Sequence, residues 1–323
     1  MLRTFIVVTL LLQLGCASHS AVKASREAGI EPAELLQTPM IFSGDGHRES
    51  KGEQCSTTGK NLFALSPEMR RYLQSAAKGY TSTQRMNSVI DDLKKRNFYL
   101  QYDLNHTTSA SEAFSLQKGN CISHAAMIVA MARHLGLEAH LNQSSRNAGT
   151  QVAESESGVR FRQRISHINA VVMVSEGAFI VEQDYRIYRG KDLNLLSDRK
   201  AKSLYLNNLA IEAMLRGELE QAFVHIRHAI ERDYDDSTLW VSLGTLYRRI
   251  GDTTLAQQSF THALNLNPGD AMALHNLALL QDSSRFEEAY VDNFIAPTDR
   301  PLMSGEALEG AQESEQEIGP LAR

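Results

Sequence analysis

Cys121-Ile-Ser-His-Ala-Ala-Met-Ile-Val-Ala-Met-Ala-Arg-His-Leu135 is the stretch that most limits what this chain can fold into. At helical spacing it is apolar on nearly every side, and a helix without a polar face has to be surrounded by other elements. It predicts a central buried helix with a domain built round it. Gly136 follows as its left-handed stop, and Gln117-Lys-Gly-Asn120 precedes it as a tight turn. The turn delivers Cys121 onto the first helical turn, where unpaired backbone N–H groups and the positive end of the helix dipole favour a thiolate. A cysteine so placed is a candidate nucleophile, with its own backbone N–H among the oxyanion donors.

Such a nucleophile needs a base, and the base needs an orienting group. Ser166-His167-Ile-Asn-Ala-Val-Val-Met-Val174 puts a histidine at the head of an apolar, β-branched run. Ala178-Phe-Ile-Val-Glu-Gln-Asp184 is a second such run, ending in carboxylates. Both runs read as strands. Cys121, His167 and Asp184 therefore follow one another as nucleophile, base and orienter on helix, strand and strand. The strand period of two places Glu182 on the same face as Asp184. Either can orient the histidine, and Asp184 is preferred.

Gly119-Asn120-Cys121, the helix ending in Ala132-Arg-His-Leu-Gly136-Leu137, His167 and Asp184 together resemble the transglutaminase-like superfamily, over residues 66–190. The resemblance implies an α+β papain-like core with cysteine on a helix and histidine and aspartate on adjacent strands. It also implies a chemistry. His167 takes the Cys121 proton, the thiolate attacks an amide carbonyl, and the resulting thioester passes to water or to an amine, while Asp184 holds the imidazole tautomer. In this superfamily an upstream aromatic or amide side chain often assists the oxyanion, and Tyr102 is the candidate. His124, one turn along the helix from Cys121, either packs or lines the cleft.

Other chemistries find little support. Cys121-x-x-His124 supplies two ligands, and the second pair that a zinc site needs is missing. Gly44-Asp45-Gly46 is a bare GxG without a phosphate-binding context, and Met127 and Met131, four apart, are core-type residues. Neither a metal nor a cofactor is expected. A formal net charge of -5 and no Lys/Arg cluster interleaved with aromatics exclude a nucleic-acid footprint.

The N-terminus sets the compartment. Arg3 gives a short positive region, Phe5 to Leu14 is nearly all apolar, and Leu14-Gly15-Cys16 closes it with small residues, as in a secretory signal. The run is too short to span a bilayer as a helix. It resembles the lipobox of bacterial lipoproteins, with Gln13 as a departure, which implies lipidation of Cys16. Ala17 resembles outer-membrane sorting, so the expectation is an outer-membrane lipoprotein facing the periplasm. Cys55 and Cys121 remain in the mature chain. A disulfide between them is the competing reading of Cys121, but Cys55 sits in a polar Gly- and Ser-rich stretch and Cys121 at a helix start, so a nucleophile is the better account.

The 323 residues, 42% hydrophobic and 22% charged, suit about two globular domains. Residues 1–16 read as the signal, 17–60 as a flexible tether and 61–200 as the transglutaminase-like domain. Ser66-Pro67-Glu68 and Thr81 open two helices, Thr108 to Leu116 holds a short capped one, and the polar residues 142–164 read as a long loop, a lid or substrate-selecting element. Beyond them Trp240, Leu243, Gly244, Tyr247, Ala256, Phe260, Ala263 and Pro268 match the tetratricopeptide pattern at its spacing. Residues 203–290 are thus identified as an all-α array of tetratricopeptide hairpins. Asn207, Asn208, Arg248 and His275 are placed on its inner helices as contacts for a protein partner. The Pro-, Glu- and Gly-rich tail, 291–323, is expected to be disordered.

Two functions follow. The first is a membrane-anchored cysteine hydrolase or acyltransferase acting on amide bonds of envelope proteins or peptides, with a protein-binding repeat module. The alternative is a catalytically inactive tetratricopeptide scaffold lipoprotein.

Overall fold

The computed structural model describes residues 31–37, 61–154, 160–191, 193–281, 288–293 and 320–321. Cys16 with the rest of the signal segment, Gly44 to Gly46, Cys55 and most of the tail lie outside the described residues. The chain divides into two units, 1–37 and 38–323. In the first, Glu34–Leu36 makes one 3-10 turn within the stretch read as tether.

The second unit opens with helices whose starts are written in their caps. In α1, Pro67–Ala76, the Ser66 side chain accepts from the Met69 N–H and proline takes the first turn. In α2, Ser82–Lys95, Thr81 and Gln84 form a reciprocal capping box. Strand β1, Gln101–Tyr102, runs parallel to β2, Lys118–Gly119, with the capped helix α3, Ala110–Leu116, between them. Helix α4, Cys121–His134, is buried along almost its whole length, as its uniformly apolar surface requires. It stops where Leu137 N–H reaches back to the Ala132 carbonyl at 3.0 Å, which Gly136 permits with φ +84°.

Helix α4 lies against β3, Glu138–Glu154, and β4, Arg160–Val174. These are the centre of a sheet ordered β6-β5-β4-β3-β7, with β5 at Gly177–Val181, β6 at Ile187–Arg189 and β7 at Leu195–Leu196. The buried ends of β3 and β4, Ala139, Leu141, Ile168 and Ala170 to Val172, form the core under the helix. The long loop expected at 142–164 is instead the continuation of this antiparallel ladder, from Gly149↔Ile165 to Glu154↔Arg160, after a register shift between Ser144 and Gly149. Polarity misleads here, because backbone pairing between strands does not depend on an apolar face.

Helices α5, Asp198–Leu215; α6, Leu219–Arg232; α7, Ser237–Ile250; α8, Thr253–Leu266; and α9, Ala271–Gln281 follow, each packed on the next. The helical region begins at Asp198, ahead of the expected 203. Trp240, Leu243, Tyr247, Ala256, Phe260 and Ala263 are fully buried between these helices, and each large side chain contributes roughly 1.5–3 kcal/mol by its burial. At Gly244 a Cβ would lie 2.5 Å from the Phe260 ring, so the two helices approach as closely as glycine allows. Asp270 closes the stack, accepting from the Met272 and Ala273 N–H groups and from the Ser237 hydroxyl.

The helical region is tied to the α/β domain at both ends of α5. Arg133 meets Asp198 in a two-bond fork at 2.9 and 2.8 Å, and Glu212 accepts the Thr107 N–H at 2.7 Å. After α9 the chain returns as β8, Glu288–Asn293, parallel to Arg160–Ile165 of β4. The tail expected to be structureless from 291 thus begins inside a strand. The reason is an unpaired edge: β5 pairs with β4 only over Ala170–Val174, leaving donors and acceptors of the earlier half for another strand. Among the described residues no helix is long and apolar enough to cross a membrane.

Candidate active site

The cysteine end of the site is built by a short-range network. Asn120 has extended backbone and caps α4, its Oδ1 accepting from the Ser123 N–H at 3.2 Å and the Ser123 hydroxyl at 3.1 Å. The Ser123 Oγ in turn accepts the Thr108 N–H at 2.8 Å. Gly119 is needed for this closeness: a Cβ there would fall 2.6 Å from the Ser123 Cβ and 3.0 Å from the Thr108 hydroxyl. Cys121 occupies the first helical position as a thiol and is fully buried.

The histidine end lies on the sheet against which α4 packs. His167 Nε2 is 2.7 Å from Glu182 Oε2. The other Glu182 oxygen accepts from Asn169 Nδ2 at 3.0 Å, Asn169 Oδ1 accepts from Asn142 Nδ2 at 2.9 Å, and Asn142 Oδ1 accepts the Asn194 N–H at 2.7 Å. Four polar side chains from β3, β4 and the end of β5 are thereby locked in one chain. With Nε2–H donated to the carboxylate, the ring's Nδ1 carries the lone pair, which is the tautomer a base needs. Burial alone would push the Glu182 carboxyl up. The hydrogen bond and charge of His167, the Asn169 amide and Arg186 outweigh it and hold Glu182 below the usual carboxylate value.

Asp184, the preferred orienter from sequence, does not meet His167. Its carboxylate takes the Arg186 N–H at 3.1 Å and the Arg186 Nε, at the surface. The strand expected over 178–184 ends at Val181. Had the β4–β5 register continued past Ala170↔Val181, Asp184 would have come opposite His167. The chain instead turns, with Tyr185 N–H bonded to the Glu182 carbonyl at 2.9 Å and Tyr185 at φ +60°. A left-handed tyrosine is costly, and here it is offset by a fully buried ring whose hydroxyl donates to the Phe98 carbonyl at 2.6 Å. Glu182, diagonally across from His167 beside Asn169, is left as the carboxylate within reach.

His124 lies one turn below Cys121, its ring 5.3 Å from that of Tyr185. Burial pushes its pKa down to about 4 against the pull of Glu182 and Asp184, with His167 adding to the fall. It is a neutral imidazole whose Nε2 is buried without a hydrogen-bond partner, and Glu182, Asp184 and His167 all act on it electrostatically. Tyr102, half-buried, is paired in register with Gly119, two residues before the cysteine. Among the described residues no group of three or more His, Cys, Asp or Glu side chains could hold a metal ion.

Asn169 and Asn142 were missed in the sequence. Asn169 had a signal, because it stands two residues after His167 on the same strand face; Asn142 had none, since its partner lies on another strand.

Residues 70–181 match the family model for the transglutaminase-like superfamily. The chain therefore carries a transglutaminase-like domain over that span, within a mixed α/β core, and the helical C-terminal region follows from Asp198. The match supports a papain-like cysteine hydrolase or acyltransferase kind and nothing finer. The match closes at Val181, so both Glu182 and Asp184 lie beyond it and it does not choose between them. No curated protein matches the chain.

Proposed function

We propose that the protein is a thiol-dependent hydrolase or acyltransferase acting on amide bonds of envelope proteins or peptides, with Cys121 as nucleophile, His167 as base and Glu182 as orienter. The observation that carries this reading is the 2.7 Å bond between His167 Nε2 and Glu182 Oε2 on the sheet that packs under the Cys121 helix. His167 Nδ1 takes the Cys121 proton, and the sulfur adds to the carbonyl carbon. The oxyanion forms against the Cys121 N–H, with Tyr102 nearby. Collapse breaks the C–N bond, the leaving amine takes the proton from imidazolium, and a thioester remains. Water or a second amine then releases the acyl group. Glu182, fixed by Asn169, stabilises the imidazolium while it exists.

The helical region is read as tetratricopeptide hairpins that bind a protein partner, supported by the buried Trp240, Tyr247, Phe260 and Ala263 and by Gly244 under Phe260. The anchor is proposed as lipid on Cys16, with the site facing the periplasm at the outer membrane. One observation favours the inactive-scaffold alternative: the Cys121 side chain is wholly buried, so substrate must open the cleft to reach it. One experiment separates the two. An electrophilic activity probe is expected to trap the wild-type protein and not the Cys121→Ala variant; absence of trapping at any neutral pH would favour the scaffold.

A further inference from the structure

We propose that Glu212, on the first helix of the C-terminal region, is a positioning residue for Cys121, acting through Thr107 on the side-chain amide of Asn120. The inference rests on the reading of Cys121 as the nucleophile. Its geometry is continuous. Glu212 Oε1 accepts the Thr107 N–H at 2.7 Å. Thr107 Oγ1 accepts from Asn120 Nδ2 at 2.6 Å. Asn120 Oδ1 caps the helix that begins with Cys121 through Ser123. Thr107, Asn120, Ser123 and Glu212 are all buried, so water does not substitute for any link.

The position of Thr107 gives Glu212 its role. By holding the Thr107 N–H, the Glu212 carboxyl fixes the residue whose Oγ1 accepts from Asn120 Nδ2. That bond sets Nδ2 as the end of the Asn120 amide facing Thr107 and leaves Oδ1 for the Ser123 N–H. If the hydroxyl donated to Asn120 instead, the amide would flip and an NH₂ group would face the Ser123 N–H, removing the cap. Packing alone does not account for a carboxylate here, because burying one is unfavourable and an apolar side chain would fill the space at less cost. The groups around it are mixed in sign. Arg216, one turn along α5, favours the charged form and Asp103 opposes it, with Asp103 itself paired to Lys118 at 2.7 Å; Tyr205 is under the influence of both Glu112 and Glu212.

The test uses the full chain and iodoacetamide. Alkylation of Cys121 is followed across pH 5 to 9 in wild type, Thr107→Val, Thr107→Ser and Glu212→Gln, with Cys121→Ala as the blank. Valine keeps the shape and the N–H bond but deletes the hydroxyl; glutamine turns one acceptor into a donor. Both are expected to slow alkylation at neutral pH by about tenfold and move the profile to higher pH, while serine stays within about twofold of wild type. Amide exchange at Ser123 is measured in parallel and is expected to quicken in the first two variants. Unchanged profiles, or unchanged Ser123 protection, in Thr107→Val and Glu212→Gln would overturn the proposal. If wild-type Cys121 reacts only as an ordinary thiol and yet Ser123 exchange responds, the link from Glu212 to the cap stands and the catalytic reading of Cys121 falls.

Discussion

At the scale of single residues, the choice between two carboxylates two positions apart decides the chemistry. Glu182 holds His167, and Asp184 is occupied with Arg186 at the surface. Glu182→Gln is expected to slow modification of Cys121 at neutral pH by about tenfold or more, whereas Asp184→Asn should stay within about twofold, since loss of an orienting carboxylate leaves the base in the wrong tautomer. Equal rates for the two variants would remove Glu182 from the role. Buried titratable groups make a second prediction. Burial pushes Glu212 up to about 7, with Thr107 and Arg216 opposing. Between its ordinary value near 4.5 and about 7 the folded state binds the extra proton, so this residue makes stability fall as pH rises through that window. His124, held at about 4, acts in the opposite sense: its contribution is complete above the unfolded value of 6.5 and is lost as pH falls toward 4. Comparing Glu212→Gln with wild type cancels the histidines. Denaturant unfolding should shift in favour of the variant by up to about 3 kcal/mol between pH 4 and pH 8; a pH-independent difference would mean that Glu212 is not a buried carboxylate near neutrality.

At the scale of elements, the starts of helices were the most legible part of the sequence. Ser66, Thr81, Ser109 and Asn120 each bond to a backbone N–H two or three residues into the helix they open, and capping is local physics that a short window of residues contains. Ends of strands were not legible. The end of β5 is set by Tyr185, whose left-handed backbone is tolerated because its hydroxyl reaches Phe98, far back along the chain. The hairpin extension of β3 and β4 is not legible in the sequence for a related reason: polar residues pair as readily as apolar ones through their backbones. Close approaches give the element-scale prediction. Gly119→Ala would bring a Cβ to 2.6 Å from Ser123, and Gly244→Ala to 2.5 Å from Phe260, so each should cost about 1–3 kcal/mol in denaturant unfolding. Gly269→Ala, whose nearest contact would be 3.7 Å, should change stability by less than about 0.5 kcal/mol.

At the scale of the whole molecule, the helical region is joined to the α/β domain through α5. The Arg133–Asp198 fork is partly exposed at both ends and is worth little, about 0–1 kcal/mol; the buried Thr107–Glu212 bond is the tie that leads to the site. Removing the chain from Asp198 onward should therefore depress Cys121 alkylation even by a small reagent, as well as processing of a protein substrate. If the shortened protein folds and its thiol reacts at the wild-type rate, the region serves only a separate partner. Cys16→Ser is expected to abolish incorporation of labelled fatty acid, leaving either a retained signal or a soluble product, and unchanged membrane partition with no lipid label in the wild type would refute the anchor. The sequence by itself determined the buried helix, the cysteine at its head, the histidine strand and the interlocking residues of the helical region, because spacing, capping and apolar periodicity are properties of neighbouring residues. Only the tertiary structure decided which carboxylate reaches His167, where β4 finds its last partner strand, and that Glu212 touches the loop beside the cysteine. Each of those depends on where a turn or a helix carries residues far apart in the chain, and no local pattern encodes that distance.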